Sequence, residues 1–277
     1  MNAPDPAAPG LLLHLAGPLQ SWGTRSHYNE RDTATHPTRS GIIGLLAACL
    51  GRTRGEPVDD LARLSLTTRA DRPGTVLRDL HTVGGGMPPK LTVTTAEGKK
   101  RPPAQGTLLT HRSYLADAAF TACLTGDQHL LHACQEAVRQ PHWPPYLGRR
   151  SCPPEGPLLI GLWTHPLHHL VHLPLSRRPS NKPLRIDFHS DTPLDQLPTP
   201  HAAGEHNHTD ALDGTTASSE INDDPHNRTP QGRTFRTRDL YQRTLTLPGT
   251  CAGLGAAYLD ALTTYTEETV SSKGAAQ

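Results

Sequence analysis

One loop of this sequence combines a stacking ring with two planar cations. Residues 144–154 read Pro-Pro-Tyr-Leu-Gly-Arg-Arg-Ser-Cys-Pro-Pro. The paired prolines exclude a helix or a central strand, so they predict a surface loop that is shaped before it binds a ligand. Glycine permits close backbone approach, arginine offers donor forks and tyrosine a stacking face, which together suit a phosphodiester beside an unstacked base. The candidate residues are Tyr146, Gly148, Arg149 and Arg150.

The alternative for this loop is an ordinary turn whose arginines are solvated or paired with carboxylates. The charge pattern favours a binding role. The formal net charge is only +1 at pH 7, so no global field attracts a polyanion. Residues 139–186 nevertheless carry seven basic residues against Glu155, residues 187–224 carry acidic residues alone, and residues 228–243 carry five arginines against Asp239. This segregation predicts local basic surfaces on a nearly neutral chain.

Short apolar runs, capping residues and prolines predict the elements that must position the loop. The order strand, helix, strand, strand, helix, strand is typical of an α+β fold of the ferredoxin-like or RRM-like kind. The predicted strands are 11–15, 66–70, 75–83, 114–124, 158–163 and 167–173, and the predicted helices are 38–50, 56–66 and 126–140.

The composition divides the chain into three parts. We expect an RRM-like domain over residues 11–183, which includes a glycine-bounded excursion at 84–106 with a β-arm and the basic cluster Lys99, Lys100 and Arg101. Residues 187–230 are acidic and poor in apolar side chains, which predicts a disordered insertion. Residues 231–265 alternate again and are expected to form a small C-terminal β element that ends in a mildly helical segment.

Cysteine usage and hydropathy indicate a cytoplasmic protein without a membrane partner. The five cysteines are scattered and lack metal-pair spacing, and no apolar run is long enough to span a bilayer. Two histidine groups could in principle bind zinc, but neither has supporting cysteines or lies in a predicted helix that would make a His-x-x-x-His frame, so we predict no metal and no cofactor. The two groups are His165, His168, His169 and His172, and His206 and His208 beside Glu205 and Asp210.

Three separated segments carry a family resemblance. Residues 11–23 read Leu-Leu-Leu-His-Leu-Ala-Gly-Pro-Leu-Gln-Ser-Trp-Gly, residues 37–51 read Pro-Thr-Arg-Ser-Gly-Ile-Ile-Gly-Leu-Leu-Ala-Ala-Cys-Leu-Gly, and residues 145–153 contain the loop. In this order they resemble the CasD-type subunits of type I-E CRISPR Cascade complexes, which belong to the fifth Cas family of RAMP proteins. Weaker matches at 77–83, 112–121 and 237–248 follow the same order. The acidic stretch 187–230 looks longer than is usual for the family.

The resemblance implies a non-catalytic subunit that caps the 5′ handle of a CRISPR RNA. Its expected partners are the handle and the Cascade backbone and large subunits, with target DNA nearby. The excursion at 84–106 would correspond to the family's thumb, which folds over the RNA. Arg39 is expected to bind phosphate because it starts a helix, where positive charge accumulates. The full set of expected RNA contacts is Gln20, Trp22, Arg39, Arg78, His81, Lys99, Lys100, Arg101, Tyr146, Gly148, Arg149 and Arg150.

The alternative function is a metal-independent endoribonuclease. Some relatives cut repeat RNA with a general base that activates the 2′-hydroxyl, and a histidine or a tyrosine can serve as that base. Because the chain has 17 histidines, a few near any site are expected by chance, so we treat cleavage as the weaker hypothesis. The candidate bases are His27, Tyr28, His36, His81 and Tyr114.

Overall fold

The computed structural model describes residues 8–24, 26–27, 29–95, 97–198, 217–229 and 232–274. Within these ranges the strands are β1 Gly10–Gln20, β2 Ser26–His27, β3 Glu30–Arg31, β4 Ser65–Arg72, β5 Thr75–Val83, β6 Leu108–Thr125, β7 Leu159–Trp163, β8 Leu175–Ser176, β9 Leu184–Ser190, β10 Ala217–Thr229, β11 Gly232–Leu247 and β12 Ala252–Gly253. The helices are α1 Arg39–Cys49, α2 Gln128–Arg139, α3 Pro166–His172 and α4 Ala256–Gly274. No helix of these ranges is long and apolar enough to cross a membrane.

A single large sheet with the order β10-β11-β9-β4-β6-β1-β7 organises the chain, and β2, β3 and β5 attach beside this path. The long strand β6 is its centre. The second half of β6 pairs with β1 and β4, whereas residues 108–116 pair with the whole of β5. The pairing of β5 with residues 108–116 forms a two-stranded extension, which we call the β5–β6 ribbon. The predicted α+β class is confirmed.

The apolar strand β1 is buried on both faces. Leu11, Leu13 and Leu15 pack in the core beneath α1 and α2, while Leu12 belongs to a second core with α3, β9 and β11. Because successive strand residues point to opposite faces, a strand covered on both sides reads as a continuous apolar run. Gly41 of α1 allows this packing, since a Cβ there would lie 2.6 Å from the Trp22 ring.

Two of the predicted local elements are wrong. The predicted strand at 167–173 is instead the helix α3, which ends at His172, because Pro166 starts a helical turn and Leu167, Leu170 and Val171 follow the spacing of one helical face. Residues 56–66 contain one 3-10 turn at 61–63, and β4 already begins at Ser65.

The C-terminal third also differs from the prediction. Residues 187–190 complete β9 and residues 217–229 form β10, so these parts of the predicted insertion are ordered strands of the main sheet, and 199–216 lie outside the described residues. Two of their carboxylates pair with arginines, Asp223 with Arg238 at 2.6 Å and Asp224 with Arg39 at 3.0 Å. The predicted C-terminal β element is not separate, because β11 pairs with β9 and residues from Ala256 onward are helical.

Buried His36 and half-buried His189 stack where α1, β9 and β11 meet. The rings of His36 and His189 lie 4.3 Å apart at an angle of 8°, and neither nitrogen of His36 has a hydrogen-bond partner within the described part of the chain. Burial lowers the pKa of His36 to about 3, with His189 and Arg238 adding to the shift. Burial also lowers the pKa of His189. Both rings are therefore neutral in the folded protein near neutral pH.

This pair predicts acid-sensitive stability. An unfolded histidine binds a proton below about pH 6.5, whereas folded His36 does not, so the stability present above that pH is lost as the pH falls. We expect one such histidine to lower the free energy of unfolding by about 1.4 kcal/mol per pH unit between about pH 6 and pH 4. Urea unfolding across this range should show the slope, and His36→Leu should flatten it. An unchanged slope in His36→Leu would contradict this account.

Candidate nucleic-acid interface

The proline-bracketed loop docks on the end of β1. The backbone N–H of Ser21 donates to the Leu147 carbonyl at 3.1 Å, and the N–H of Leu147 donates to the Cys152 carbonyl at 2.7 Å. Gly148 has a φ of +84°, and a Cβ at this position would lie 1.8 Å from the Ser21 carbonyl oxygen. The glycine is therefore required for contact with the protein's own backbone. The structure thus gives Gly148 an internal role, and its close approach to a ligand stays a prediction.

Arg149 holds the loop in place. Its guanidinium donates to the carbonyl oxygens of Ser113, Arg31 and Asp32 at 3.1, 2.9 and 3.0 Å. Its central carbon lies 4.9 Å from the centre of the Tyr114 ring, which is a cation–π contact. These contacts use three of the five N–H donors of the guanidinium, so most of the fork is engaged within the protein, and phosphate binding by Arg149 stays a prediction.

Arg150 points outward from the same turn. It is exposed, and its side chain makes no hydrogen bond or ion pair with any described residue. Tyr146, on the other side of Gly148, is half-buried. The loop thus fixes one arginine inside and presents the next to solvent, so Arg150 and the exposed part of Tyr146 are its available binding groups.

Gln20 and Trp22 support the loop from below. Both are fully buried. The Gln20 amide donates to the carbonyls of Leu15 and Ala118, and its oxygen accepts the indole N–H of Trp22 at 2.9 Å. Neither side chain reaches the surface, and both position the end of β1. Their contact with RNA stays a prediction.

Arg39 is also an internal residue. Its side chain pairs with Asp191, pairs with Asp224 at 3.0 Å and donates to the Ala62 carbonyl at 2.5 Å, while its backbone N–H donates to Asp223 at 2.7 Å. Burial raises the pKa of Asp191 although the Arg39 charge opposes that shift. The guanidinium and the backbone N–H of Arg39, which were expected to bind phosphate, are thus bound by four acceptors of the protein itself. These contacts connect α1 to β10 and to the residue that follows β9.

The β5–β6 ribbon meets the loop at Ser113. Arg78 of β5 pairs in register with Ser113, whose carbonyl accepts from Arg149. The exposed Arg78 side chain lies 3.1 Å from Glu30 in a solvated ion pair that costs little to exchange. His81, farther along β5, faces the Thr110 hydroxyl at 3.3 Å. Arg78 and His81 therefore remain on the surface that continues from the loop.

The excursion at 84–106, which we call the thumb, folds back on itself. The N–H of Thr95 donates to the Lys99 carbonyl, and the N–H of Arg101 donates to the Val93 carbonyl. Lys99 is exposed, while the Lys100 ammonium is bound by the Thr92 carbonyl at 3.0 Å and the Thr94 hydroxyl at 3.1 Å. The predicted β-arm is reduced to one isolated bridge between Thr94 and Lys100, with short 3-10 turns at 89–91 and 103–105. The three cations of the thumb differ in how far they are already engaged.

Two arginines of this surface were missed by the sequence analysis. Arg112 on β6 is half-buried, and its Nε, like that of Arg101 in the thumb, has no hydrogen-bond partner within the described ranges. Arg31 on β3 is exposed beside the loop and pairs in register with Arg112. Arg112 starts one of the weaker family segments, which was a usable signal. Arg31 had no signal, because only the parallel pairing of β3 with β6 places it here.

The β5–β6 ribbon and the thumb also expose apolar side chains. Val76, Leu80 and Leu109 are 57%, 59% and 54% exposed, and Leu77, Met87 and Leu91 are exposed nearby. Apolar residues that cluster on one projecting element, next to a basic surface, are typical of a site that a partner covers.

The candidate bases of the nuclease hypothesis lie in different surroundings. His36 is buried against His189, Tyr114 is buried beneath Arg149, and His81 lies on the ribbon. Tyr28 and the side chain of His27 lie outside the described residues.

The metal hypothesis needs one correction. Residues 166–172 are helical, so His168 and His172 do stand one turn apart, with ring centroids 4.1 Å apart. No group of three or more potential ligands with metal-site geometry occurs among the residues that the structure describes, and positions 205–210 lie outside them.

Comparisons with known proteins match this geometry to one family. The family model described as CRISPR-associated protein (Cas_Cas5) matches residues 10–238. The CRISPR system Cascade subunit CasD of Escherichia coli (strain K12) is 39% identical over 165 residues, which cover 54% of this chain and 70% of that protein.

Solved structures agree. A chain of a CRISPR RNA-guided surveillance complex superposes with a TM-score of 0.74 at 36% identity, and the match covers 93% of this chain and 99% of that one. A second structure, described as the crystal structure of a Cas protein, gives a TM-score of 0.56 at 30% identity over 89% of this chain and 98% of that one. The chain therefore belongs to the Cas5 family of CRISPR-associated proteins, which includes the CasD subunit of Cascade.

Proposed function

We propose that this chain is a non-catalytic, cytoplasmic subunit of a type I-E CRISPR surveillance complex, in which it binds and caps the 5′ handle of the CRISPR RNA. The observation that carries the proposal is the loop in which Arg149 is locked to the protein and Arg150 is presented to solvent. The similarity to a Cascade subunit and to a chain of an RNA-guided surveillance complex supports it.

Pre-organisation explains why such a loop suits a single strand. The contacts of Arg149 and Gly148 order the loop in the free protein, so binding does not have to order it. Arg150 then continues a surface with Arg31, Arg78 and the thumb cations. Guanidinium groups bind phosphates in pairs of parallel hydrogen bonds, and ribbon and thumb supply edges beside which bases can unstack.

The exposed apolar residues fit the protein partners. Val76, Leu80 and Leu109 project from the β5–β6 ribbon, where a backbone or large subunit of the complex would cover them. The target DNA, engaged near this end of the complex, would then lie close to the same surface.

Removal of Arg150 should weaken RNA binding without harm to the fold. We expect Arg150→Ala to lower the affinity for handle RNA about 5- to 30-fold, which corresponds to the loss of one charge-assisted contact, and to reduce the steepness of its salt dependence. Filter binding across salt concentrations measures both. Arg54→Ala, which removes another exposed arginine outside this surface, is the matched control.

Arg149→Ala serves as the contrasting variant. It should lower the thermal stability as well as the affinity, because it leaves the carbonyls of Ser113, Arg31 and Asp32 without their donor. Wild-type RNA affinity in Arg150→Ala at every salt concentration would contradict the proposed role of the loop.

The apolar face should matter for assembly rather than for RNA affinity. We expect Leu80→Ser combined with Leu109→Ser to leave the isolated chain folded, since both side chains are more than half exposed, and to reduce its incorporation into the complex several-fold. Co-purification with the other subunits measures this. Val270→Ser, at an exposed position of α4, is the control, and equal incorporation of both variants would exclude the ribbon as a docking face.

A cleavage assay separates the subunit from the nuclease. We expect the purified chain to leave repeat RNA intact in EDTA, whereas a metal-independent nuclease would release a product with a 2′,3′-cyclic phosphate. Appearance of that product, and its loss in His81→Ala, would replace the proposal by the enzyme hypothesis.

A further inference from the structure

A second candidate site lies away from the loop. A cavity of about 790 Å³ opens between β1, the end of β4 and the start of α4. His14 lines it, and because His14 alternates with the core residues Leu13 and Leu15, the cavity lies on the face of the sheet opposite α1 and α2. No residue of the segment 144–154 lines it. Its volume is in the range of sites that enclose a small molecule.

Two buried polar groups in its wall have no partner. His14 Nε2 and the Tyr258 hydroxyl make no hydrogen bond with any described residue, although the two side chains are 7% and 2% exposed. Their rings lie 4.5 Å apart. A buried polar atom without a partner is costly, so a ligand that supplies the missing hydrogen bonds gains binding energy.

Both groups are neutral at neutral pH. Burial lowers the pKa of His14 to about 4, and burial also raises the pKa of Tyr258. A neutral imidazole beside a neutral phenol offers one donor and one acceptor next to aromatic faces. That combination matches the hydrogen-bonding edge of a nucleobase better than it matches a second charge.

The rim of the cavity carries positive charge that can bind an anion. Arg72 is already engaged, since it bonds to the carbonyl oxygens of Asp117 and Ser176 and pairs with Asp117 at 3.1 Å. Arg177 and Arg178 line the cavity, and their side chains make no hydrogen bond or ion pair with the described part of the protein. The helix α4 begins at the same wall, where its positive end adds to these charges.

Two carboxylates also line the cavity, Asp117 and Glu155, and Asp117 is already paired with Arg72. Glu155 lines the cavity on an anchored backbone, because its N–H donates to the Ala16 carbonyl at 2.9 Å. A carboxylate would repel a phosphate but accepts hydrogen bonds from ribose hydroxyls, as acidic residues do in dinucleotide sites. The cavity thus brings together groups for a base, a ribose and a phosphate.

We propose that this cavity binds a ribonucleoside monophosphate unit. Arg177 and Arg178 bind its phosphate, Glu155 accepts from its ribose hydroxyls, and His14 and Tyr258 bond the edge of its base. The unit is either a free nucleotide or one unstacked nucleotide of a bound RNA. The second source depends on the proposed function, whereas the first does not.

Titration calorimetry with the four ribonucleoside monophosphates and their deoxy counterparts tests the free source. We expect saturable binding, a preference for the ribose form, and a roughly tenfold loss of affinity in Arg177→Ala with Arg178→Ala. Tyr258→Phe should weaken binding several-fold while the thermal stability stays equal or rises, since it only removes a hydroxyl without a partner. Glu155→Gln should reduce the preference for ribose over deoxyribose. Arg54→Ala is the control.

Photocrosslinking of handle RNA to the chain tests the second source, with Arg150→Ala run in parallel. A crosslink to Tyr258 that Arg177→Ala with Arg178→Ala abolishes would support the proposal for an RNA-borne nucleotide. If Arg150→Ala loses RNA binding but still binds free nucleotide, the cavity is a nucleotide site that is independent of RNA binding by the loop. Binding of neither source at millimolar concentration, or binding that the cavity variants leave unchanged, would overturn it.

Discussion

A fully buried ion pair on β4 holds the second layer of this protein on its sheet. Arg69 donates to both carboxylate oxygens of Asp71 and to the carbonyls of Leu170, Leu173 and Pro174, and neither charged side chain reaches solvent. Burial of a guanidinium is tolerable only when its donors are satisfied, because its desolvation costs several kcal/mol or more. The backbone that follows α3 supplies those acceptors. The layer it anchors forms one wall of the cavity beside His14.

The need to satisfy the donors of a buried guanidinium also explains why some arginines of this chain have structural roles and others remain at the surface. Arg39, Arg69 and Arg149 each bind several oxygens of the protein, whereas Arg150 binds none among the described residues. Two adjacent arginines of one loop thus have different roles: Arg149 stabilises the loop, and Arg150 is available at the surface. The internal arginine gives the external one a fixed position, and a rigid cation loses less entropy when it meets a phosphate.

Much of the fold could be predicted from local sequence. The strands β4, β5, β6 and β7 and the helices α1 and α2 lie close to their predicted positions, since each has a clear period or cap, such as Asp127 accepting from the Leu130 N–H. The secondary-structure prediction failed where contacts with distant residues determine whether a segment forms a strand. Residues 217–229 are too polar to indicate a strand, and they form one because Arg39 and Arg238 neutralise their carboxylates.

The sequence predicted where the candidate site lies better than it predicted the contacts of each side chain. The loop at 144–154 does lie beside β3 and the β5–β6 ribbon. Sequence alone could not show that Gly148 contacts Ser21, that Arg149 turns inward, or that Gln20 and Trp22 are buried. Residue type gives the hydrogen-bonding capacity of a side chain, whereas its partners depend on long-range packing. Arg31 joins the surface only through the pairing of β3 with β6.

The contact of Asp223 with the first turn of α1 bears on where this protein can be divided. That carboxylate accepts the backbone N–H of Arg39 across 184 positions of sequence, and Arg238 holds it there. A fragment that stops near residue 183 would deprive its first helix of this cap and leave a buried guanidinium without two counterions. The stretch after residue 183 therefore completes the packing of the stretch before it, and we expect the two to unfold as one cooperative unit.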